Sequence, residues 1–177
     1  MQIKAGSLLI AHPVHATIER SEKVVYITES NNYSTTGLTL NNLGTYDLAE
    51  ILARRNIDWY GDRHLYHGGD YNSSALVMLH TDEWYSSNTM HIHNQLSISS
   101  DELMMEKLEM GNLPLWYRLF VGIEAWDAQD LEHQVRRAKP QWIVLSNPSQ
   151  ALIELSDKDV WPCAIDEYSQ EVFSNYI

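Results

Sequence analysis

The chain has 177 residues, which suits one domain with a full apolar core and is short for two. Its 44% hydrophobic content, six Trp and ten Tyr can bury enough surface to offset chain entropy, which argues against a disordered tail or linker. Twelve basic residues face 24 acidic ones, a formal net charge of −12, so direct nucleic-acid binding is disfavoured: non-specific affinity needs Lys and Arg against phosphates, and no three of them are consecutive.

The single cysteine, Cys163, permits no internal disulfide and points to a reducing compartment. The apolar run 5–11 is too short for the core of a signal peptide, and His12 and Pro13 end it. No apolar stretch reaches the length a membrane span needs. The expected location is cytoplasmic, with no membrane contact.

In chain order, GSLLIA at 6–11 reads as a buried strand closed by Pro13, and VVYIT at 24–28 as a second, β-branched one. The turn 31–34 leads into a third strand at 35–40, a hairpin in which Gly37 marks a bulge or a close backbone approach. Thr45 is placed to cap a helix with Leu48, Ile51 and Leu52 on one face. Leu65 and Tyr66 lead to the turn Gly68-Gly69-Asp70, and 75–80 is an apolar strand. Residues 89–97 alternate apolar and polar, which predicts one half-exposed strand with His91 and His93 on its polar face. Ser99 and Glu102 have the spacing of a capping box, for a helix carrying Leu103, Met104 and Leu108 and stopped by Gly111. WYRLFVGIEA at 116–125 is the most aromatic strand. Asp127 caps a helix with Leu131, Val135 and Ala138 on one face and Arg136, Arg137 and Lys139 at its C-terminal end, before Pro140. Strands are expected at 142–145 and 152–155, and a final helix from Ser156, with Pro162 tolerable only in its first turn. Hairpins early and β-α-β order late favour a mixed sheet over a doubly wound parallel one.

This order of motifs resembles the AlgH-like family, also called UPF0301. The similarity is carried by Gly6 to Pro13, by Val24-Val25-Tyr26-Ile27 with Glu29, and by Thr36-Gly37-Leu38-Thr39-Leu40-Asn41. His67-Gly68-Gly69 with Val77 to His80, Phe120 to Trp126 with Gln129 to Glu132, and Trp142, Pro148 and Trp161 complete it. The chain departs from the family pattern at Ser30, where His is usual, at Asp70, where Pro is usual, and at Asn42-Leu43, where Lys-Pro is usual. The resemblance implies a single α+β domain over 1–177, a mixed and partly barrel-like sheet flanked by about four helices. It brings the label of putative transcriptional regulator but no mechanism.

Candidate chemistry is sparse. His91 and His93 with His80, His64 and His67 could converge on a metal, but the plainer reading is a polar strand face, and no ligand motif such as H-E-x-x-H is present. Ser7, Ser73 and Ser74 lie near strand ends without the G-x-S-x-G elbow of an acyl-transfer nucleophile. Cys163, between Val160, Trp161 and Ala164, reads as a buried and inert thiol. Gly68-Gly69 could cradle an anion, or simply make a turn that only glycine allows. Trp59 and Trp84, flanked by polar residues, are the tryptophans expected at the surface. Glu29, Asn41, Gly68, Gly69, His80 and Arg118 are the residues expected to line a cleft, and no catalytic residue, metal or cofactor is implied. Three functions remain open: a non-enzymatic regulatory or adaptor protein acting through contacts with a protein partner; a small-molecule or anion binder, or enzyme, with a cleft near Gly68-Gly69, Glu29 and His80; and the role the family label implies, a transcriptional regulator touching DNA, with weak affinity that collapses with salt.

Overall fold

The computed structural model describes residues 3–176, and the fold is α+β. The chain resolves into two compact units, one built from the residues up to Asn42 and from Glu124 onward, the other from Leu43–Ile123.

In the first unit, β1 (Leu8–Ala11) pairs antiparallel with β10 (Trp142–Leu145) and with β2 (Val24–Ser30), and β2 pairs with β3 (Ser34–Thr39). The end of β9 (Tyr117–Asp127) continues this sheet beside β3, with Gly37 opposite Glu124. β1 and most of β2 are buried on both faces, which explains their unbroken apolar runs. α3 (Ala128–Arg136) drops Leu131 onto Leu9, Ala11, Val25, Ile27, Trp142 and Val144. α5 (Asp157–Ser174) lies against β1 and β2, where the Trp161 indole donates to the Ala11 carbonyl at 3.0 Å. Gly37 does answer to a close approach: a Cβ there would stand 2.7 Å from Val25 Cγ1 and 2.8 Å from the Tyr26 carbonyl.

In the second unit, β4 (Leu43–Asp47) pairs antiparallel with β5 (His64–His67), and β5 runs parallel to the first part of β9. β6 (Tyr71–Thr81) lies antiparallel to β9 and to β8 (Leu96–Ser99), and β7 (Met90–His93) closes the edge on β8. Among the described residues this is the one parallel pairing, that of β5 with β9, and it makes the sheet mixed. α1 (Leu48–Ala53) and α2 (Glu102–Glu109) bury Leu48, Leu52, Met104 and Leu108 against Leu65, Met78 and Leu119.

Several expectations are corrected. Thr45 belongs to strand β4, and Asp47 caps α1 instead, its carboxylate accepting from the Ala49 N–H. The alternation over 89–97 is interrupted by a turn: Asn94 and Gln95 take φ of 51° and 66°, so one expected strand becomes the β7–β8 hairpin. Ser99 is the last residue of β8, and Asp101 caps α2. Residues 152–155 are not a strand: α4 (Gln150–Ile153) forms under the Ser149 hydroxyl, which accepts from the Leu152 N–H. Pro162 sits inside α5, beyond its first turn. Trp59 and Trp84 are core residues, and each indole N–H is satisfied by a backbone carbonyl, of Asp62 and Asn112 respectively. Cys163 is exposed on α5, because Val160 and Ala164 take the inward positions. No helix among the described residues is long and apolar enough to cross a membrane.

Candidate functional site

The six residues expected to line a cleft fall into both units: Glu29 and Asn41 in the first, Gly68, Gly69, His80 and Arg118 in the second. Glu29 is exposed on β2 at the register shift opposite Thr36. Asn41 bridges a turn, its amide donating to the Glu22 carbonyl at 2.6 Å and its oxygen accepting from the Val24 N–H at 3.0 Å. Gly68 and Gly69 are buried. The Gly68 N–H donates to the Val121 carbonyl at 2.9 Å, and the Gly69 carbonyl occupies the space a Cβ on Gly122 would need. Gly122 has φ of 74°, a left-handed conformation, so this pair of glycine sites meets a backbone demand. Arg118 lays its guanidinium over the Tyr66 ring at 4.4 Å and the Trp116 ring at 5.6 Å.

His80 has the most developed surroundings. It ends the apolar stretch of β6 and is 0% exposed. Its Nδ1 lies 2.9 Å from the Thr81 carbonyl, which can only accept, so Nδ1 carries the proton. Nε2, 2.7 Å from Ser99 Oγ, then accepts the Ser99 hydroxyl proton. The hydrogen bonds run toward His80 as far as Ser86, where the direction turns and the Ser86 hydroxyl donates the other way, to Asp101. Thr89 Oγ1 lies 2.7 Å from Ser99 Oγ, the Ser86 N–H donates to Thr89 Oγ1 at 2.7 Å, and the Ser86 hydroxyl donates to Asp101 Oδ2 at 2.7 Å. Asp101 Oδ1 receives the Met104 N–H at the start of α2. Trp84 closes the site edge-on to the imidazole, at 5.0 Å between centroids.

The electrostatics follow from this wiring. Burial lowers the His80 pKa below the usual histidine value, against the Thr81 carbonyl bond and the nearby Glu83 and Asp82 charges. At Asp101 burial opposes the charge, but the Ser86 hydroxyl and the N–H groups of Met104, Asn88 and Leu103 outweigh it and hold the carboxyl below the ordinary range. Beside this chain, Asp82 accepts from Ser97 Oγ and from His91 Nδ1, so His91 is spent on a carboxylate at the surface. Among the described residues no three His, Cys, Asp or Glu side chains converge as metal ligands would.

A Ser–His contact of this kind is the core of a nucleophilic dyad. Here it is sealed, with Ser99 only 1% exposed and Trp84 packed over the ring, so what it does in this state is hold β6, β8, the 84–89 loop and the N-terminus of α2 in one hydrogen-bonded chain. Sequence reasoning placed His80 in the site but read Ser99 as a helix cap and missed Ser86, Thr89 and Asp101. The one available signal was a histidine among Val77, Met78 and Leu79, which must find polar partners.

An open cavity of about 670 Å³ lies in the first unit. The β2–β3 turn supplies Ser30, Asn32 and Thr35, and α3 supplies Gln129 and the Glu132–Arg136 ion pair at 2.9 Å. Glu29 neighbours it in sequence. Asn41 lines a second hollow of about 440 Å³ with Lys23, Asp157 and Trp161.

The AlgH-like family matches residues 8–172. The chain belongs to the AlgH-like family. A UPF0301 protein of Mannheimia succiniciproducens is 26% identical over 163 residues, covering 89% of this chain and 87% of the relative. A UPF0301 protein of Marinomonas is 27% identical over 125 residues, covering 68% of this chain and 65% of the relative. The solution structure of the AlgH protein from Pseudomonas aeruginosa superposes with a TM-score of 0.75 at 21% identity, covering 93% of this chain and 90% of that one. The crystal structure of a Corynebacterium diphtheriae protein does so with a TM-score of 0.70 at 20% identity, covering 91% and 85%. At these identities the structures speak for the AlgH-like fold, and the family is one of unestablished biochemical function.

Proposed function

We propose that this AlgH-like protein is a non-enzymatic regulatory or adaptor domain that acts through contacts with another protein. One observation carries the reading: the best-formed acid–base constellation, His80 with Ser99, is shut inside the second unit, while large apolar side chains stand at the surface. Groups that a catalyst must present to a substrate are committed to structure, whereas exposed apolar side chains on an acidic chain suit association. The test is affinity capture from native extract, followed by titration of each purified candidate against the protein at two salt concentrations. A partner with saturable, stoichiometric binding supports the proposal. Recovery of only what an unrelated acidic protein recovers counts against it.

A second reading, a binder of a small polar ligand, is favoured by the 670 Å³ cavity and its amide, hydroxyl and ion-pair lining. A ligand at a hundredfold its Kd stabilises the fold by about 2.7 kcal/mol. A thermal-shift screen over metabolites and anions therefore detects it, and a flat screen removes this reading.

A further inference from the structure

The second unit carries a surface whose chemistry is more specific than acidity alone. Two segments lie side by side there. The first is the loop after β6, where Trp84 is buried and the next residue, Tyr85, is exposed. The second is α2 with the loop that follows it. Three contacts hold them together: the Trp84 indole donates to the Asn112 carbonyl at 3.0 Å, Lys107 Nζ donates to the Tyr85 carbonyl, and the Leu115 N–H donates to Glu83 Oε1. On the outside this leaves Tyr85 at 68%, Met110 at 84% and Leu115 at 90% exposure, with Leu113 and Leu103 partly covered. Pro114 is buried and holds the loop that displays its two leucine neighbours.

Carboxylates dominate the charge around this apolar surface. Glu102, Glu106 and Glu109 recur at the four- and three-residue spacing that puts them on one exposed stripe of α2. None of them has an ion-pair partner among the described residues. The one cation of the helix, Lys107, is spent inward: its ammonium lies 4.0 Å from the Tyr85 ring centroid and 5.2 Å from that of Trp84. Tyr85 is thus pinned, an aromatic anchor that loses little freedom on binding.

We infer that this face is a docking surface for a basic amphipathic segment of another protein, with apolar anchors over Tyr85, Met110 and Leu115 and Lys or Arg side chains over Glu102, Glu106 and Glu109. The inference rests on the adaptor reading above and names the face and the partner's chemistry. Charge complementarity selects the occupant. A second copy brought face to face would oppose the same unpaired carboxylates, and an anionic lipid surface would be repelled by them. A cationic segment gains Coulomb attraction and apolar burial together.

The test uses the full chain and a Lys/Leu amphipathic peptide of about 18 residues, long enough to hold a helix. Amide chemical shifts are followed during titration, and affinity is measured for the protein and three double variants. The expected perturbations centre on 83–85 and 102–115. Met110→Ser with Leu115→Ser weakens binding about tenfold, in line with loss of interface anchors. Glu106→Gln with Glu109→Gln weakens it and flattens its salt dependence, while Asp166→Asn with Glu171→Gln on α5 removes as much charge and leaves the affinity within about twofold, as rim or distant charges do. Perturbations centred on other elements, or equal losses in all three variants, overturn the assignment of this face and leave the adaptor reading standing. Absence of saturable binding overturns the basic-partner chemistry. A dimer in sedimentation velocity that dissociates on Met110→Ser with Leu115→Ser would show a second copy as the occupant and overturn the inference equally.

Discussion

Replacing Ser99 by Ala tests the buried hydrogen-bond chain at its centre. The hydroxyl donates to His80 Nε2 and lies 2.7 Å from Thr89 Oγ1; His80 is fully buried, while Thr89 is half-buried. Without it, the imidazole acceptor has no donor and the Thr89 proton loses its partner. Each stranded buried group costs about 1–3 kcal/mol, and the void left by one oxygen is too small to admit a bridging water. With one such group, the His80 acceptor, a loss of about 1–3 kcal/mol is expected, a large share of the 5–15 kcal/mol by which domains are stable. Urea unfolding followed by tryptophan emission measures it, with Trp84 against His80 as a local reporter at 5.0 Å. Ser100→Ala is the internal control. Its hydroxyl also makes a bond, to the Leu76 carbonyl, but the residue is exposed and water replaces what is lost. A Ser99→Ala loss below about 0.5 kcal/mol, or one equal to the Ser100→Ala loss, would refute the claim that this chain knits the second unit together.

Acidification should weaken the protein in two windows. Because burial lowers the folded-state pKa of His80, the unfolded chain takes up a proton first as pH falls through about 6.5, so stability declines there, by at most about 1.4 kcal/mol per pH unit for one group. His12, lowered by burial and by the stacked His15, adds to the same window. His80→Gln should flatten the slope that remains in a His12→Asn background. The lowered carboxyls of Asp82, Glu83 and Asp101 contribute stability present above the carboxylate range and lost as pH falls below about 4, which urea titrations at pH 5 and pH 3 resolve. Gly122→Ala should cost about 3 kcal/mol or more in the same assay, because a left-handed φ of 74° and contact with the Gly69 carbonyl add together. Pro162→Ala should instead raise the melting temperature, since an interior proline removes a helix hydrogen bond.

The fold was readable where burial and chemistry agreed. β1, β2 and β10 are apolar on both faces and bounded by turns, so a pattern of hydrophobicity is enough to find them. Misreadings came where two devices compete for one stretch of chain. Thr45 and Ser99 lie within strands that run on to the helix, so the caps fall to Asp47, the last residue of β4, and to Asp101, two residues past Ser99. The alternation at 89–97 hides the β7–β8 turn because it is a pattern of residue types only: Asn94 and Gln95 reverse the chain at positive φ without a Gly or Pro to mark the turn. Residues 152–155 look like a strand by composition, yet Ser149 and Leu152 are bonded as a helix start, which only spacing to a cap could have told.

The site was less legible, for a physical reason. A buried histidine announces a need for partners, but the partners are set by which strands pair, and Ser99 lies opposite Met78, two residues from His80, only through the β6–β8 register. Trp59 and Trp84 mislead for the opposite cause: their polar neighbours face outward while the rings point in, with the indole N–H carried to a carbonyl. The same inversion creates the docking face. With Trp84 turned into the core, its neighbour Tyr85 is forced to the surface, and Lys107 is drawn over both rings and away from the glutamates of α2. An acidic, apolar surface there is thus a consequence of how the core is filled. Trp84→Phe separates the two roles: it keeps the ring in place but drops the bond to the Asn112 carbonyl, so it should loosen the 110–115 loop and lower peptide affinity with an overall stability loss of only about 1–2 kcal/mol. Equal affinity in Trp84→Phe would mean that the loop is held without this bond.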